Sequence, residues 1–152
     1  NWIPILTTSD MATAVAASFQ HTNGLIMAAA PLDYQPKEVA TEKIKKGDGN
    51  LQITLVRTVD ILRTTLRQRE QVVIGFAAES QNLIENAKKK CKEKSLDLVV
   101  ANDISREDIG FGSEENQVSL VDLVGVEPLP KMTKASVADR ILDRFLRIRE
   151  SK

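Results

Sequence analysis

The apolar positions of this chain repeat in two rhythms, and they alternate most clearly across residues 71–105. Val72, Val73 and Ile74 form an unbroken apolar run closed by Gly75. Leu83, Ile84, Ala87 and Cys91 then recur at the spacing of one helix face. Leu96, Leu98, Val99 and Val100 make a second run, closed by Asn102 and Asp103. Short apolar runs flanking a helix predict a βαβ unit whose strands are buried in a parallel sheet. Ligands of such sheets sit beyond the carboxyl ends of the strands. Here those ends carry Phe76, Glu79, Asn102 and Asp103.

The same rhythms extend to both sides. Ile3, Ile5 and Leu6 predict a short strand, and Thr7 with Asp10 reads as a capping box opening a helix. Met11, Val15 and Phe19 line that helix, and Asn23 or Gly24 fits a left-handed cap at its end. Residues 25–30 predict a second buried strand. Its small side chains serve either close helix packing or the approach of a ligand, and the pattern alone does not separate the two. Pro31 ends this strand and leaves Asp33 just past its carboxyl end. Residues 37–57 predict a β-flap with a tight turn at Gly47-Asp48-Gly49-Asn50 and an amphipathic return strand through Leu51, Ile53 and Leu55. Asp60-Ile61-Leu62 opens a helix reaching about Arg69. Beyond the βαβ unit and a loop over 105–116, Val118, Leu120, Leu123 and Val124 predict a hairpin closed near Gly125. Thr133 caps a final helix with Val137, Ala138, Ile141, Leu142, Phe145, Leu146 and Ile148 on one side. No repeat or low-complexity linker interrupts the pattern, so residues 1–152 are expected to form one α/β domain.

Composition narrows the chemistry. The 152 residues carry 21 Lys and Arg against 21 Asp and Glu, so charge points neither to nucleic acid nor to an anionic membrane as the partner. The longest apolar run, 24–32, is too short to span a bilayer. Cys91 is the one cysteine, which excludes an intrachain disulfide and suits a reducing cytoplasm. It falls on the apolar helix face and reads as a packing residue. The lone His21 sits near a helix end and reads as a surface or capping residue. Gly110-Phe111-Gly112-Ser113 lacks the third glycine and the strand-to-helix setting of a dinucleotide fingerprint, which argues against a nicotinamide or flavin redox domain. Lys43, Lys45 and Lys46 suit either polyphosphate contact or a solvated strand edge, and the pattern alone favours the edge. Lys90 and Lys94 share a helix face and by themselves read as a solvated basic stripe.

Several short motifs occur in order along the chain. They are Ala28-Ala29-Ala30-Pro31-Leu32-Asp33-Tyr34-Gln35-Pro36, Glu42-Lys43-Ile44-Lys45-Lys46, Asp60-Ile61-Leu62, Gly75-Phe76-Ala77-Ala78-Glu79, Ala101-Asn102-Asp103 and Gly110-Phe111. In this order the chain resembles the phosphopantothenate–cysteine ligases, usually the C-terminal half of the bifunctional coenzyme A biosynthesis flavoprotein (the DFP family). The resemblance implies a Rossmann-like, mostly parallel sheet with helices on both faces, a β-flap and a C-terminal hairpin plus helix. It implies that 4′-phosphopantothenate is activated by CTP, with Mg2+ at the phosphates, and that the cysteine amine then displaces CMP from an acyl-cytidylate. FMN would enter only with a fused upstream decarboxylase half.

Carried over by position, Met27, Ala28, Ala29 and Asp33 match the family's nucleotide-contacting strand end. Val59, Asp60, Ile61, Leu62 and Phe76 match further nucleotide contacts. Lys43 matches the catalytic flap lysine, and Lys90 and Lys94 match two lysines that reach the phosphates. Asn102-Asp103 matches a motif to which no role is assigned. Pro31, Leu32, Gln35, Thr58 and Val59 depart from the family's usual Ala-Val-Ala-Asp-Tyr-Arg-Pro and Asn-Pro segments. The family's glycine-rich first strand, loop and helix, with an asparagine that handles the intermediate, have no counterpart in this sequence. The chain alone is therefore expected to show little turnover. A homodimer joined through residues 118–126 is expected by analogy. The alternative is a non-catalytic nucleotide-binding or regulatory subunit of the same fold.

Overall fold

The computed structural model describes residues 1–46, 49–105 and 112–152. In chain order the elements are α1 (Thr8–Phe19), β1 (Gly24–Met27), β2 (Tyr34–Pro36), β3 (Leu55–Arg57), α2 (Ile61–Thr64), β4 (Val72–Glu79), α3 (Leu83–Glu93), β5 (Leu98–Asp103), β6 (Glu115–Asn116), β7 (Val118–Val121), β8 (Val126–Pro128), β9 (Met132–Thr133) and α4 (Lys134–Glu150). The main sheet has the order β1-β4-β5-β7-β8. β1, β4 and β5 are parallel, while β7 and β8 add an antiparallel hairpin at one edge. Helices cover both faces, which makes this the α/β fold the pattern predicts.

Alternation along the central strands builds two apolar layers. On one face Val73, Ala77, Val99 and Ala101 pack with Phe19 of α1 and with Ala87 and Cys91 of α3. On the other, Val72, Ile74, Leu98 and Val100 meet Val137 and Ile141 of α4. Both faces of β4 and β5 are thus covered, which is why their sequences read as continuous apolar runs. Gly24 allows the close approach at the start of β1: a Cβ there would stand 2.5 Å from the Phe145 ring of α4. Among the described residues, no helix is long and apolar enough to cross a membrane.

At the amino ends of the strands, Asp97 ties several segments together. Its Oδ2 accepts from the Val73 amide at 2.7 Å and from Arg67 at 2.9 Å, and its Oδ1 meets Lys152 Nζ at 2.8 Å. Gln71, the one buried polar side chain among the described residues, binds the end of α1. Its Nε2 donates to the carbonyls of Phe19 at 2.6 Å and Thr22 at 2.8 Å, and its Oε1 accepts from the Gln68 amide at 2.8 Å.

Several boundaries differ from expectation. The capping box of Thr7 and Asp10 is present, but Ile3, Ile5 and Leu6 form no strand, because they find no neighbour to pair with and stay exposed. Helix α1 ends without a left-handed residue: short-range bonds from His21 to Ser18 and from Thr22 to Phe19 close it, and Gly24 enters β1 instead. β1 stops at Met27, so Ala28, Ala29 and Ala30 form a loop. β4 runs through Gly75 to Glu79 because β5 pairs with it that far. The flap has only a short ladder between β2 and β3, with Tyr34 opposite Arg57 and Pro36 opposite Leu55. Leu51 and Ile53 lie exposed outside any strand, so their alternation does not mark a buried face. α2 is a single turn ending at Thr64, because Thr64 and Thr65 turn their hydroxyls back to the carbonyls of Asp60 and Ile61. On α4, Val137, Ile141, Phe145 and Ile148 face the sheet, whereas Ala138, Leu142 and Leu146 face solvent. The expected turn at Gly47-Asp48 and the Gly110-Phe111 motif lie outside the described residues.

Candidate functional site

A cleft of about 440 Å³ opens at the carboxyl ends of β1, β4 and β5. The chain leaving β1 forms one wall with Met27, Ala28, Ala29 and Asp33. This wall is pinned to the segment after β3: the Thr58 amide donates to the Asp33 carbonyl at 2.9 Å, and its hydroxyl donates to the Leu32 carbonyl at 2.5 Å. The same segment delivers Val59, Asp60, Ile61 and Leu62 to the cleft. Phe76, Ala78 and Glu79 come from the end of β4, and Asn102 from the end of β5.

Helix α3 supplies the cations. Ala87 and Cys91 bury its apolar face against the sheet, which turns Lys90 and Lys94 toward the cleft. Lys90 Nζ donates to the Phe76 carbonyl at 2.6 Å. Burial pushes its pKa below the ordinary lysine value, as does the positive charge of Lys94, while Glu79, Asp60 and Asp33 work the other way. An ammonium has three donors. The Phe76 carbonyl is its hydrogen-bond partner among the described residues, so Lys90 retains donor capacity toward an anion.

Lys94 is differently placed. Its Nζ lies 2.8 Å from Asp60 Oδ2. Asp60 also caps α2 through the Arg63 amide at 3.2 Å. Partial burial raises the Asp60 pKa, but the bonds from Lys94 and Arg63 outweigh it and hold the carboxyl below its usual range. Lys94 thus arrives charge-compensated, whereas Lys90 arrives partly desolvated and opposite a neutral carbonyl. An entering polyanion would gain more from Lys90.

Every candidate nucleotide residue read from the sequence lines this one cleft except Lys43. Lys43 lies exposed on the arm between β2 and β3, outside the cleft. Sequence reasoning left Thr58 without a task, and only the fold shows that it closes the loop. The sequence motif assigns Asn102 no role, yet its Oδ1 is buried and has no hydrogen-bond partner among the described residues. No group of three or more His, Cys, Asp and Glu side chains able to hold a metal ion stands among the described residues. Asp33 and Glu79 are the cleft carboxylates outside the Lys94 pair.

Relatives agree with this architecture. The bifunctional coenzyme A biosynthesis protein CoaBC of Bacillus subtilis is 40% identical over 146 residues, covering 95% of this chain and 36% of that protein. The Escherichia coli K12 protein of the same name is 38% identical over 150 residues, covering 95% of this chain and 37% of that protein. The chain therefore spans little more than a third of the curated relatives it matches. The crystal structure of the C-terminal domain of a CoaBC protein superposes with a TM-score of 0.78 at 34% identity, covering 99% of this chain and 68% of that one. The family model of the DNA/pantothenate metabolism flavoprotein C-terminal domain matches residues 1–148, and the chain belongs to that family.

Proposed function

We propose that this chain carries the ligase chemistry of coenzyme A biosynthesis, joining 4′-phosphopantothenate to cysteine at the expense of CTP. The observation that carries this reading is the convergence of Met27, Ala28, Ala29, Asp33, Phe76, Lys90 and Lys94 on one cleft at the carboxyl ends of parallel strands. The physical task is to bring an anionic carboxylate against an anionic triphosphate. A carboxylate oxygen attacks the α-phosphorus, the bond to pyrophosphate breaks, and an acyl-cytidylate forms. The cysteine amine then attacks the acyl carbon, loses a proton and expels CMP.

In this scheme Lys90 and Lys94 hold their protons at Nζ and neutralise charge gathering on the phosphates. Leaving Asp60 for a phosphate exchanges one charge-assisted contact for another, so Lys94 also reports whether the site is filled. Lys43 is assigned the catalytic lysine role, which requires the arm to bring it from its exposed position to the ligand. Mg2+ fits the donor set as an ion carried by the phosphates and completed by a single carboxylate such as Asp33, since this metal keeps much of its water. When bound, it supplies further neutralisation of phosphate charge. A homodimer joined through the hairpin of β7 and β8 is part of the proposal, supported by the exposure of Leu123 and Val124 at its turn. A flavin belongs only to an upstream decarboxylase unit in a longer protein, and the proposed setting is the cytoplasm.

Calorimetric titration of CTP and then ATP with magnesium, beside a Lys43→Ala, Lys90→Ala double variant, tests the reading. Saturable CTP binding that the variant loses is the expected result. Failure of wild type to bind either nucleotide would refute it. The position of Lys43 outside the cleft favours a second reading, a nucleotide-binding subunit without turnover. Pyrophosphate release from CTP and 4′-phosphopantothenate, measured without cysteine, bears on the two: any release refutes the subunit reading, whereas binding without release is the outcome expected of the subunit and of a ligase domain acting alone.

A further inference from the structure

We infer that Asn102 is a specificity-determining residue that accepts a hydrogen bond from an N–H or O–H group on the non-phosphate part of the ligand. This deepens the ligase reading and rests on it. Along β5, Leu98 and Val100 belong to the apolar layer under α4. Asn102 follows at the same two-residue alternation, between Ala78 of β4 and Val118 of β7. Phe76 packs against that same layer. Lys90 and Lys94 come from α3, on the opposite face, so the cleft crosses the carboxyl edge of the sheet with cations at one end and the Phe76 ring with the Asn102 amide at the other.

The Asn102 oxygen is buried and finds no hydrogen-bond partner among the described residues. Such a group calls for a partner, and one bordering a cleft can take it from the molecule that enters the cleft. The torsion that turns an asparagine amide is soft. Rotating the oxygen toward the cleft therefore becomes favourable once a donor arrives there. Phosphate oxygens are acceptors and gain nothing from it, so they stay at the lysine end. The donor must come from the nucleoside, through its amine or hydroxyls, or from the amide and hydroxyl groups of the acyl substrate.

The test compares wild type with Asn102→Leu by calorimetry, using CTP, 4′-phosphopantothenate and inorganic tripolyphosphate, and records thermal unfolding of both proteins. Asn102→Leu should weaken CTP or 4′-phosphopantothenate by about tenfold or more, leave tripolyphosphate unchanged, and unfold at the same or a higher temperature. The ligand that weakens identifies the source of the donor. Unchanged binding of both organic ligands would overturn the inference, as would equal weakening of all three. So would a lowered unfolding temperature, because a structural amide is missed by the fold and a waiting one is not. Asn102→Ser, smaller and too short to reach, should show the same selective weakening; wild-type binding of both organic ligands by the serine variant would also overturn the inference. Absence of any nucleotide or 4′-phosphopantothenate binding by wild type would overturn the ligase reading together with the inference. Wild-type binding that ignores Asn102 would overturn the inference alone.

Discussion

Replacing Gln71 offers a measurement whose size follows from counted contacts. Gln71 is 4% exposed and ties its own loop to the end of α1 through three hydrogen bonds of 2.6–2.8 Å. In Gln71→Leu the Phe19 carbonyl keeps its bonds from the Thr22 amide and hydroxyl. The Thr22 carbonyl and the Gln68 amide lose the partner that Gln71 supplied. Two such part-buried groups at about 1–2 kcal/mol each, offset by about 1 kcal/mol of added apolar burial, leave a net loss of roughly 1–3 kcal/mol. For a chain of this size that lowers the unfolding temperature by roughly 2–12 °C.

Gln71→Glu should be worse at neutral pH, because a carboxylate would face two carbonyl oxygens where the amide donated to both. Its pKa in the folded chain is then raised above the unfolded value of about 4.3. Stability held by the protonated form is full below that unfolded value and is lost as pH rises through the folded one. The glutamate variant should therefore recover toward wild type near pH 4. Urea unfolding followed by circular dichroism at pH 7 and pH 4 reads all of this. A leucine variant within about 0.5 kcal/mol of wild type would refute the reasoning, as would a glutamate variant with no gain at acid pH.

Other outcomes follow from the same geometry. Lys90→Met keeps the buried stem and removes the desolvated charge, so it should weaken triphosphate binding at least tenfold without lowering the unfolding temperature; calorimetry beside thermal melts checks both. Because burial holds the Lys90 pKa below 10.5, wild type should gain stability as pH rises toward that value. Triphosphate binding in the same alkaline window should take up a proton, seen as a buffer-dependent enthalpy that Lys90→Met abolishes. Asp122 accepts from the amides of Val124 and Gly125 and from Arg144, which outweighs its partial burial and lowers its pKa. Asp122→Ala should cost about 1–3 kcal/mol at neutral pH and much less as the wild-type carboxyl protonates below pH 3.8, measured by chemical unfolding across pH. Val124 is 96% exposed at the turn of the β7–β8 hairpin; Val124→Asp should turn a dimer into a monomer in sedimentation, and a wild-type monomer at high concentration would contradict the dimer.

Where an element buries both faces, the chain announced it. The runs 72–74 and 98–100 and the helix with Ala87 and Cys91 were legible because both strands lie between apolar layers. Patterns set by only one neighbour misled. Leu51 and Ile53 alternate like a half-buried strand but stay exposed on the arm, and Leu142 and Leu146 continue the apolar stripe of α4 past the sheet's reach. α2 reads as longer than one turn because a periodic pattern does not reveal threonine hydroxyls that bond back to the helix carbonyls. The cleft was legible as residues near strand ends. Its internal wiring was not: the Lys94–Asp60 pair, the Lys90 bond to Phe76 and the lone Asn102 oxygen depend on segments far apart in sequence.

The arm between β2 and β3 has a consequence for how this chain tolerates change. β1 and β4 are adjacent in the sheet although the arm is inserted between them in sequence. The three-residue ladder of β2 and β3 clamps the arm at its base, so the sheet is insulated from its length. Closing a longer loop adds only about 0.6 kcal/mol per doubling. Lengthening or shortening the arm beyond Pro36 and before Leu55 should leave the melting of the sheet nearly untouched. Folding thus places little constraint on the arm's reach, which leaves that length free to be set by how far Lys43 would travel in the proposed ligase.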